Sequence, residues 1–172
     1  MSVELSRRAL VSGLISLPAL GMATGAEAAT RVSMPGQVPA GSILVSTRQR
    51  RLYLSLGDGS AITYPVAVGR PGKQWFGSRV VDGKHVRPAW SPPAEVRRDN
   101  PRLPNVIPGG IPQNPMGERA LTLSPGEYAI HGTNVPNSIG TYASYGCIRM
   151  YNHDIVDLFE RVRVGAVVTV VQ

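Results

Sequence analysis

Hydrophobic and polar residues alternate along much of the chain after residue 40. A short apolar run at 43–45 is followed by two stretches, 52–56 and 62–68, in which every second residue is apolar. A period of two is the pattern of a half-buried β-strand. Gly57 and Gly59 lie between the two stretches, and glycine accepts the positive φ that a tight hairpin turn requires. The pattern predicts a strand followed by a β-hairpin.

The second half of the chain carries shorter apolar runs and one helical pattern. A helix is predicted to begin after Asn152, because asparagine suits the N-cap position. Its apolar face recurs at helical spacing and consists of Ile155, Val156, Leu158, Phe159 and Val162. Further strands are predicted around Phe76 and at 80–81, 121–123, 128–130 and 164–171. These elements predict a mainly β domain with one principal α-helix near the C-terminus.

Two stretches lack any periodic pattern. Residues 29–40 are predicted to be a leader into the domain. Residues 88–115, the Pro-rich segment, contain many prolines and no sustained alternation. A long loop inside a small domain is usually functional or disordered. A loop that covers a cleft and a mobile surface insert therefore both agree with the sequence.

The first 28 residues have the organisation of a secretory signal peptide. Arg7 and Arg8 precede a mostly apolar stretch at 9–23, and residues 26–28 form a small-x-small cleavage site. The paired arginines resemble a bacterial twin-arginine signal. A transmembrane anchor is the alternative, but the apolar stretch is short for a bilayer and is interrupted by glycine and proline. We expect residues 1–28 to direct export to the periplasm or cell envelope, with no membrane span after cleavage.

Composition and charge narrow the class of protein. The 172 residues are 42% hydrophobic and 17% charged, which excludes a disordered chain and a membrane bundle and favours one globular domain. The net charge of +7 comes mainly from scattered arginines without interleaved aromatic residues. Such a charge favours anionic surroundings and gives little support for nucleic-acid binding.

The single cysteine, Cys147, excludes an internal disulfide framework and a Cys-rich zinc site. The three histidines are dispersed and do not match the spacing of metal ligands, so neither a metal nor a cofactor is expected. Cys147 is therefore a packed thiol, a surface thiol or a nucleophile. A thiol reacts as the thiolate, and an imidazole within hydrogen-bond reach can accept its proton.

His131 is the histidine best placed to serve such a thiol. It ends the predicted strand at 128–130 and is followed by Gly132, whereas Gly146 stands directly before Cys147. A glycine at that position allows a tight turn that leaves space at the sulfur. On spacing alone, a catalytic Cys–His pair and two inert buried side chains both remain open.

The motifs around these two residues resemble the L,D-transpeptidase catalytic domain, also called the YkuD domain. The resemblance covers about residues 40–172, including the hairpin at 51–69. Its motifs are Asn-Pro-Met-Gly at 114–117, Tyr-Ala-Ile-His-Gly-Thr-Asn at 128–134, Ser-Ile-Gly at 138–140 and Ser-x-Gly-Cys-Ile-Arg-Met at 144–150. The resemblance implies a β-sandwich-like fold over residues 41–172.

The resemblance also implies an enzyme that acts on peptidoglycan stem peptides during cell-wall biogenesis, with consequences for cell shape. Cys147 would attack the carbonyl of the third stem residue, usually meso-diaminopimelate, release D-Ala and form a thioester. An amine would then accept the acyl group. Three acceptors stay open: another stem (a 3→3 cross-link), a free D-amino acid, or a lysine of a protein to be anchored to the wall.

Particular residues acquire roles from the resemblance. His131 corresponds to the general base, and the Gly132 carbonyl to the group that orients its imidazole. The N–H groups of Gly146 and Cys147 would form the oxyanion hole. Substrate-binding positions are Thr133, Asn134, Ser144, Tyr145 and Arg149, and a bracing role for Arg149 is the alternative.

Two departures from the family pattern qualify these roles. Tyr145 stands where the family usually has a second histidine, and residues 73–78 replace a Thr-Pro-rich turn. A phenol donates a hydrogen bond and is no base near neutral pH. Two alternatives to a transpeptidase therefore stay open. Water could hydrolyse the thioester, as in an L,D-carboxypeptidase, or the domain could bind peptidoglycan without catalysis.

Overall fold

The computed structural model describes residues 29–34 and 36–172. The expected signal peptide, residues 1–28, lies outside the described residues. The helices are α1, Ala94–Asp99, and α2, Asn152–Arg161, with a 3-10 turn at Pro136–Ser138. The strands are β1 Thr30–Ser33, β2 Ile43–Ser46, β3 Arg51–Ser55, β4 Ser60–Pro65, β5 Val68–Gly69, β6 Gly77–Val86, β7 Arg119–Ser124, β8 Tyr128–His131, β9 Tyr142–Ser144, β10 Ile148–Arg149 and β11 Val167–Val171.

Most strands join one nine-stranded sheet with the order β1-β4-β3-β2-β11-β6-β7-β8-β10. The last strand, β11, enters the middle of this sheet, parallel to β2 and antiparallel to β6. The β6–β7–β8 meander continues the sheet, and β10 closes its far edge parallel to β8. A second, two-stranded sheet pairs β5 with β9. The prediction of a mainly β fold with one principal helix near the C-terminus is confirmed.

The hydrophobic core lies between the long sheet and α2. Alternate residues of the strands enter it, as the period of two requires. The helix contributes Ile155, Leu158 and Phe159, and Val162 follows directly after its last turn. Val156, predicted on the same face, is only half-buried because it lies at the edge of the apolar stripe. The core thus fixes α2 across β7 and β8, the strands that lead to the candidate site.

The return strand of the hairpin, predicted over 62–68, is divided in the structure. β4 ends at Pro65, which has no N–H for a strand ladder, and Val68 already belongs to β5. Ala67, between them, exchanges both backbone hydrogen bonds with Arg149 at 2.9 Å each. The three residues after Pro65 are fully buried, because here the chain passes from one sheet to the other.

Three other local predictions differ from the structure. The expected leader contains β1, which pairs with β4 at the edge of the sheet. The Pro-rich segment contains α1. Phe76, predicted near a strand centre, precedes β6 and is 56% exposed. Prolines and pairing at the sheet edge determine where these elements begin and end. Neither produces a periodic pattern of hydrophobic residues in the sequence.

Among the described residues, no helix combines the length and the apolar character needed to cross a bilayer.

Replacing Leu158 by alanine should destabilise the fold by about 2–5 kcal/mol, because it leaves a cavity between α2 and the sheet. Glu160→Ala, on the exposed side of the same helix, is the matched control and should change stability by less than about 0.5 kcal/mol. Urea unfolding followed by circular dichroism measures both. Equal effects of the two variants would contradict the assigned packing of α2.

Candidate active site

A short parallel pairing of two strands brings the expected nucleophile and base together. In the β8–β10 ladder, Ile148 lies opposite Ile130 and Arg149 opposite His131. Cys147 directly precedes β10, so it lies beside Ala129 of β8, two residues before His131. The Met150 N–H donates to the His131 carbonyl at 2.8 Å and extends the pairing. Two residues sixteen positions apart in the chain, His131 and Cys147, thereby line one cavity.

The imidazole of His131 is buried, with 4% of the residue exposed. Its Nδ1 lies 2.6 Å from the Gly132 carbonyl oxygen, which can only accept a hydrogen bond, so Nδ1 carries a proton. The neutral ring therefore holds its lone pair at Nε2. Burial and the nearby Arg149 charge lower the pKa of His131 to about 4, although the Gly132 and Pro115 carbonyls favour the protonated ring. At neutral pH this histidine is an uncharged base.

Cys147 is partly accessible from the cavity, and its thiol is in a largely desolvated position. Burial raises the pKa of the Cys147 thiol, whereas a hydrogen bond from the Ala129 backbone and the charge of Arg149 lower it. The burial effect is the largest of the three. The thiol is accordingly protonated at rest and requires a base for its activation.

The turn before Cys147 is held by close backbone packing. Gly146 has φ +122°, and a Cβ there would lie 2.5 Å from the Tyr128 ring. The Trp75 indole N–H donates to the Gly146 carbonyl at 3.0 Å. Ser144 Oγ accepts from the Gly146 N–H at 3.1 Å and donates to the Cys147 carbonyl at 2.5 Å. The Gly146 N–H, expected in an oxyanion hole, is thus engaged by Ser144 within the turn.

The main cavity is the space of about 600 Å³ that Cys147 and His131 face. Its walls come from the turn at 144–147, from the start of β8 and from the Pro-rich segment. Five expected site residues line it, namely His131, Ser144, Tyr145, Cys147 and Arg149. Residues that sequence reasoning did not identify also line it: Arg79, Trp90, Pro93, Ala94, Glu95, Val96, Pro115, Met116, Gly126, Glu127 and Tyr128.

Thr133 and Asn134, expected to bind substrate, lie instead on a neighbouring cavity of about 410 Å³. Thr133 Oγ1 accepts from the Val135 N–H at 3.0 Å, and the Asn134 amide donates to the Gln113 carbonyl at 3.2 Å. Both residues follow the end of β8 at His131, and neither lines the main cavity.

Asn152 holds this turn and does not cap α2. Its Oδ1 accepts from the N–H groups of Glu118 and Thr133 at 3.2 Å each, and its Nδ2 donates to the Thr133 carbonyl at 3.0 Å. The N-cap position belongs to Tyr151, so the predicted capping role is wrong. A Cβ at Gly132 would lie 2.2 Å from Asn152 Oδ1, which explains the glycine beside His131.

Tyr145, the first departure from the family pattern, connects the turn at 144–147 to α1. Its hydroxyl donates to Asp99 Oδ2 at 2.6 Å, and Arg70 donates to the same oxygen at 2.9 Å. The Arg70 guanidinium also lies 3.9 Å from the Tyr145 ring centroid. Both contacts lower the pKa of Asp99, the hydrogen bond from Tyr145 most.

The second departure, residues 73–78, anchors the other side of the same helix. Lys73 forms an ion pair with Glu95 in the first turn of α1. Asn114 fixes the base of the Pro-rich segment, because its amide donates to three carbonyls, those of Pro88, Ile107 and Pro108. The Pro-rich segment is therefore a docked wall of the main cavity, in agreement with the cleft-covering alternative.

Replacing Tyr145 by phenylalanine removes the hydrogen bond to Asp99 and keeps the ring beneath Arg70. We expect the α1 amides of Arg97 and Asn100 to exchange with solvent about three- to tenfold faster, because one hydrogen bond contributes about 1 kcal/mol. Hydrogen exchange measured by NMR checks this. Tyr53→Phe, which breaks a surface bond to Gln49, is the control, and unchanged protection of α1 in the Tyr145 variant would contradict its anchoring role.

The buried neutral state of His131 predicts a pH dependence of stability. An unfolded histidine binds a proton near pH 6.5, but folded His131 does so only near pH 4. Between these values the unfolded state binds more protons, so the stability advantage of the wild type decreases as pH falls from 7 to 4. His131→Gln should lack this dependence. Parallel stability–pH curves for the two proteins, measured by urea unfolding, would show that His131 is not held neutral.

Comparison with known proteins places these features in a family. The sequence model for the L,D-transpeptidase catalytic domain, YkuD, matches residues 40–170. "Probable L,D-transpeptidase YbiS" of Escherichia coli K12 is 39% identical over 140 residues, which cover 77% of this chain and 44% of YbiS. "Probable L,D-transpeptidase ErfK/SrfK" of the same strain is 36% identical over 138 residues, covering 75% and 43%. The chain thus spans less than half the length of these curated relatives.

Solved structures share the fold at low sequence identity. L,D-transpeptidase 3 from Mycobacterium tuberculosis superposes with a TM-score of 0.62 at 17% identity, over 78% of this chain and 62% of that one. An L,D-transpeptidase from Mycobacterium smegmatis gives a TM-score of 0.60 at 16% identity, over 76% and 58%. The expected fold class is confirmed. With its match over residues 40–170, the chain belongs to the L,D-transpeptidase catalytic domain (YkuD) family.

Proposed function

We propose that the chain is an exported peptidoglycan L,D-transpeptidase in which Cys147 is the nucleophile and His131 the general base and acid. The observation that carries the proposal is the β8–β10 pairing, which gives a buried neutral imidazole and a partly accessible thiol one common cavity. Residues 1–28 serve as the export signal, 29–40 as the leader and 41–172 as the catalytic domain. The net charge of +7 suits an anionic cell envelope.

The first half-reaction uses the protonation states described for the two residues. His131 Nε2 takes the thiol proton as Cys147 Sγ bonds to the carbonyl carbon of meso-diaminopimelate in a stem tetrapeptide. The resulting tetrahedral adduct then breaks its bond to D-Ala, whose nitrogen receives the proton from His131. The product is a thioester on Cys147. A base with a pKa near 4 is weak, so substrate must complete the arrangement that makes this transfer favourable.

The oxyanion of the adduct requires donors beside Cys147. We assign this role principally to the Cys147 N–H, because the Gly146 N–H already donates to Ser144 Oγ. Gly146 contributes if substrate draws its N–H away from Ser144. Ser144 supports the turn, and Tyr145 supports the wall formed by α1.

Arg149 is the residue in the site best suited to a substrate carboxylate. Its guanidinium lines the main cavity and forms no ion pair with the part of the chain that the structure describes. Burial lowers the pKa of Arg149, so an anion beside it would compensate its lost hydration. The leaving D-Ala carries such a carboxylate close to the reacting carbonyl.

In the second half-reaction an amine attacks the thioester and gives its proton to His131. His131 returns that proton to the Cys147 sulfur as the C–S bond breaks. A diaminopimelate side chain gives a 3→3 cross-link, a D-amino acid gives exchange, and a protein lysine gives anchoring to the wall. The main cavity, at about 600 Å³, is large enough to admit peptide segments.

The test incubates purified stem tetrapeptides with the protein and identifies products by mass spectrometry. We expect Cys147-dependent dimers joined through two diaminopimelate residues, and at least a hundredfold less product with Cys147→Ala or His131→Gln. Supplying a D-amino acid as acceptor should yield exchanged tetrapeptides.

Other outcomes separate the remaining alternatives. Cys147-dependent tripeptide monomers, with no dimer or exchange product, would replace the transpeptidase by an L,D-carboxypeptidase. Binding to purified cell walls with no product in any mixture would indicate a non-catalytic module and would contradict the proposal.

A further inference from the structure

Arg79 is a cation in the main cavity that the proposed mechanism does not use. It lies near the start of β6, and its side chain reaches the cavity wall formed by the beginning of β8. Its guanidinium lies 4.5 Å from the Trp75 ring centroid and 4.6 Å from that of Tyr128. Its Nη1 would lie 3.1 Å from a Cβ added at Gly126, so it also passes close to the β7–β8 turn.

The two rings connect Arg79 to the nucleophile. Trp75 and Tyr128 stack with centroids 5.2 Å apart. Trp75 donates to the Gly146 carbonyl, and the Tyr128 ring fills the space that a side chain at Gly146 would need. Arg79 therefore lies on an aromatic support whose opposite end contacts the residue preceding Cys147. Contact with ring faces holds a guanidinium by its plane and leaves the N–H donors at its edge for a ligand.

The charge of Arg79 has no partner in the described part of the chain. Its Nε is buried and makes no hydrogen bond, and its guanidinium forms no ion pair. Two carboxylates line the same cavity, those of Glu95 and Glu127. Glu95 pairs with Lys73 and Arg98, and Glu127 is exposed on the turn after Gly126.

Outside the main cavity, several arginines pair with carboxylates. Arg70 pairs with Asp99, Arg87 with Glu118 and Arg161 with Asp157. The two arginines of the main cavity, Arg79 and Arg149, are without such partners among the described residues. Two partly desolvated guanidinium groups in one cavity match a ligand with two carboxylates, because each is stabilised by an anion that offers bidentate hydrogen bonds.

We infer that Arg79 is a specificity-determining residue that binds a carboxylate of the donor stem peptide other than the carboxylate of the leaving residue. The inference rests on the proposed function and deepens it by defining the substrate class as a donor peptide with a second free carboxylate. Arg149 is two residues after Cys147 and lines the same cavity, so it would be next to the reacting carbonyl. Arg79 lies on the other side of the Trp75–Tyr128 pair from Gly146. It is therefore placed to bind a carboxylate of the donor peptide that lies farther from the reacting carbonyl.

The alternative is a purely structural Arg79 that only covers the two rings. In that role Arg79 must stack on Trp75 and Tyr128, but it does not contact a charged group of the substrate. The two roles therefore differ in the response to donor carboxylates, which can be measured in the wild type without any substitution.

The experiment measures exchange of D-Ala for a saturating D-amino acid on a set of tetrapeptide donors. In each donor, one non-terminal carboxylate is converted to the carboxamide. We expect one such donor to show a KM at least tenfold higher with kcat within twofold, because the amide removes the charge from the contact. Arg79→Gln should raise KM for the unmodified donor by a similar factor and leave the amide donor unchanged, with Arg79→Lys between them.

Arg163→Gln, an exposed arginine with the same change in net charge, is the matched control and should behave as wild type. If every amide donor has the wild-type KM, Arg79 is structural and the inference is wrong. Loss of turnover for all donors would count against the proposed function. In that case calorimetric binding of the same donors to Cys147→Ala decides the inference, with unequal affinities supporting it and equal affinities overturning it.

Discussion

The parallel contact between β8 and β10 is the constraint on which the candidate site depends. It consists of only two residue pairs, Ile130 with Ile148 and His131 with Arg149. Two such short strands cannot hold this register alone. The register is maintained from both sides: β7 pairs along β8, and Ala67, in the segment between β4 and β5, pairs with Arg149. The core beneath these strands therefore serves the geometry of one cysteine and one histidine.

Close backbone approaches complete that geometry. Gly132 and Gly146 stand next to His131 and Cys147, and neither position has space for a side chain. Asn152 fills the space at the first and Tyr128 the space at the second. This packing explains why an asparagine at the start of α2 takes part in the site: the helix is the element that carries its amide to the turn after His131.

Burial determines the chemistry of the pair. It lowers the pKa of His131 and raises the pKa of Cys147, so the resting pair is a neutral imidazole and a neutral thiol. Arg149 acts on both, opposing protonation of the histidine and favouring ionisation of the thiol. The thiol is thus protonated at rest, and its ionisation requires a base.

The sequence predicted the elements with a regular period and the residues that carry a motif. The β3–β4 hairpin, α2, His131 and Cys147 belong to this class. Side-chain contacts that depend on distant parts of the chain left no local signal. Asn152 resembled an N-cap because asparagine is favoured there, and its actual partners lie 19 and 34 residues earlier.

Two further features could not be predicted from local sequence patterns. Arg79 occupies one position of a strand in which arginine is unremarkable, and only its contacts with Trp75 and Tyr128 bring it to the cavity. The departures at Tyr145 and at 73–78 were visible in the sequence. Their shared role as anchors of α1 was not, because the Pro-rich segment has no periodicity from which a docking face could be predicted.

The central claim is that Cys147 forms a covalent thioester with a stem peptide. The most direct measurement is the intact mass of the protein, quenched in acid after brief mixing with a tetrapeptide donor, followed by peptide mapping. The account predicts a mass increase equal to the tripeptide acyl group, located on Cys147 and lost on addition of an amine. Formation of products without this adduct, or an adduct on another residue, would contradict it.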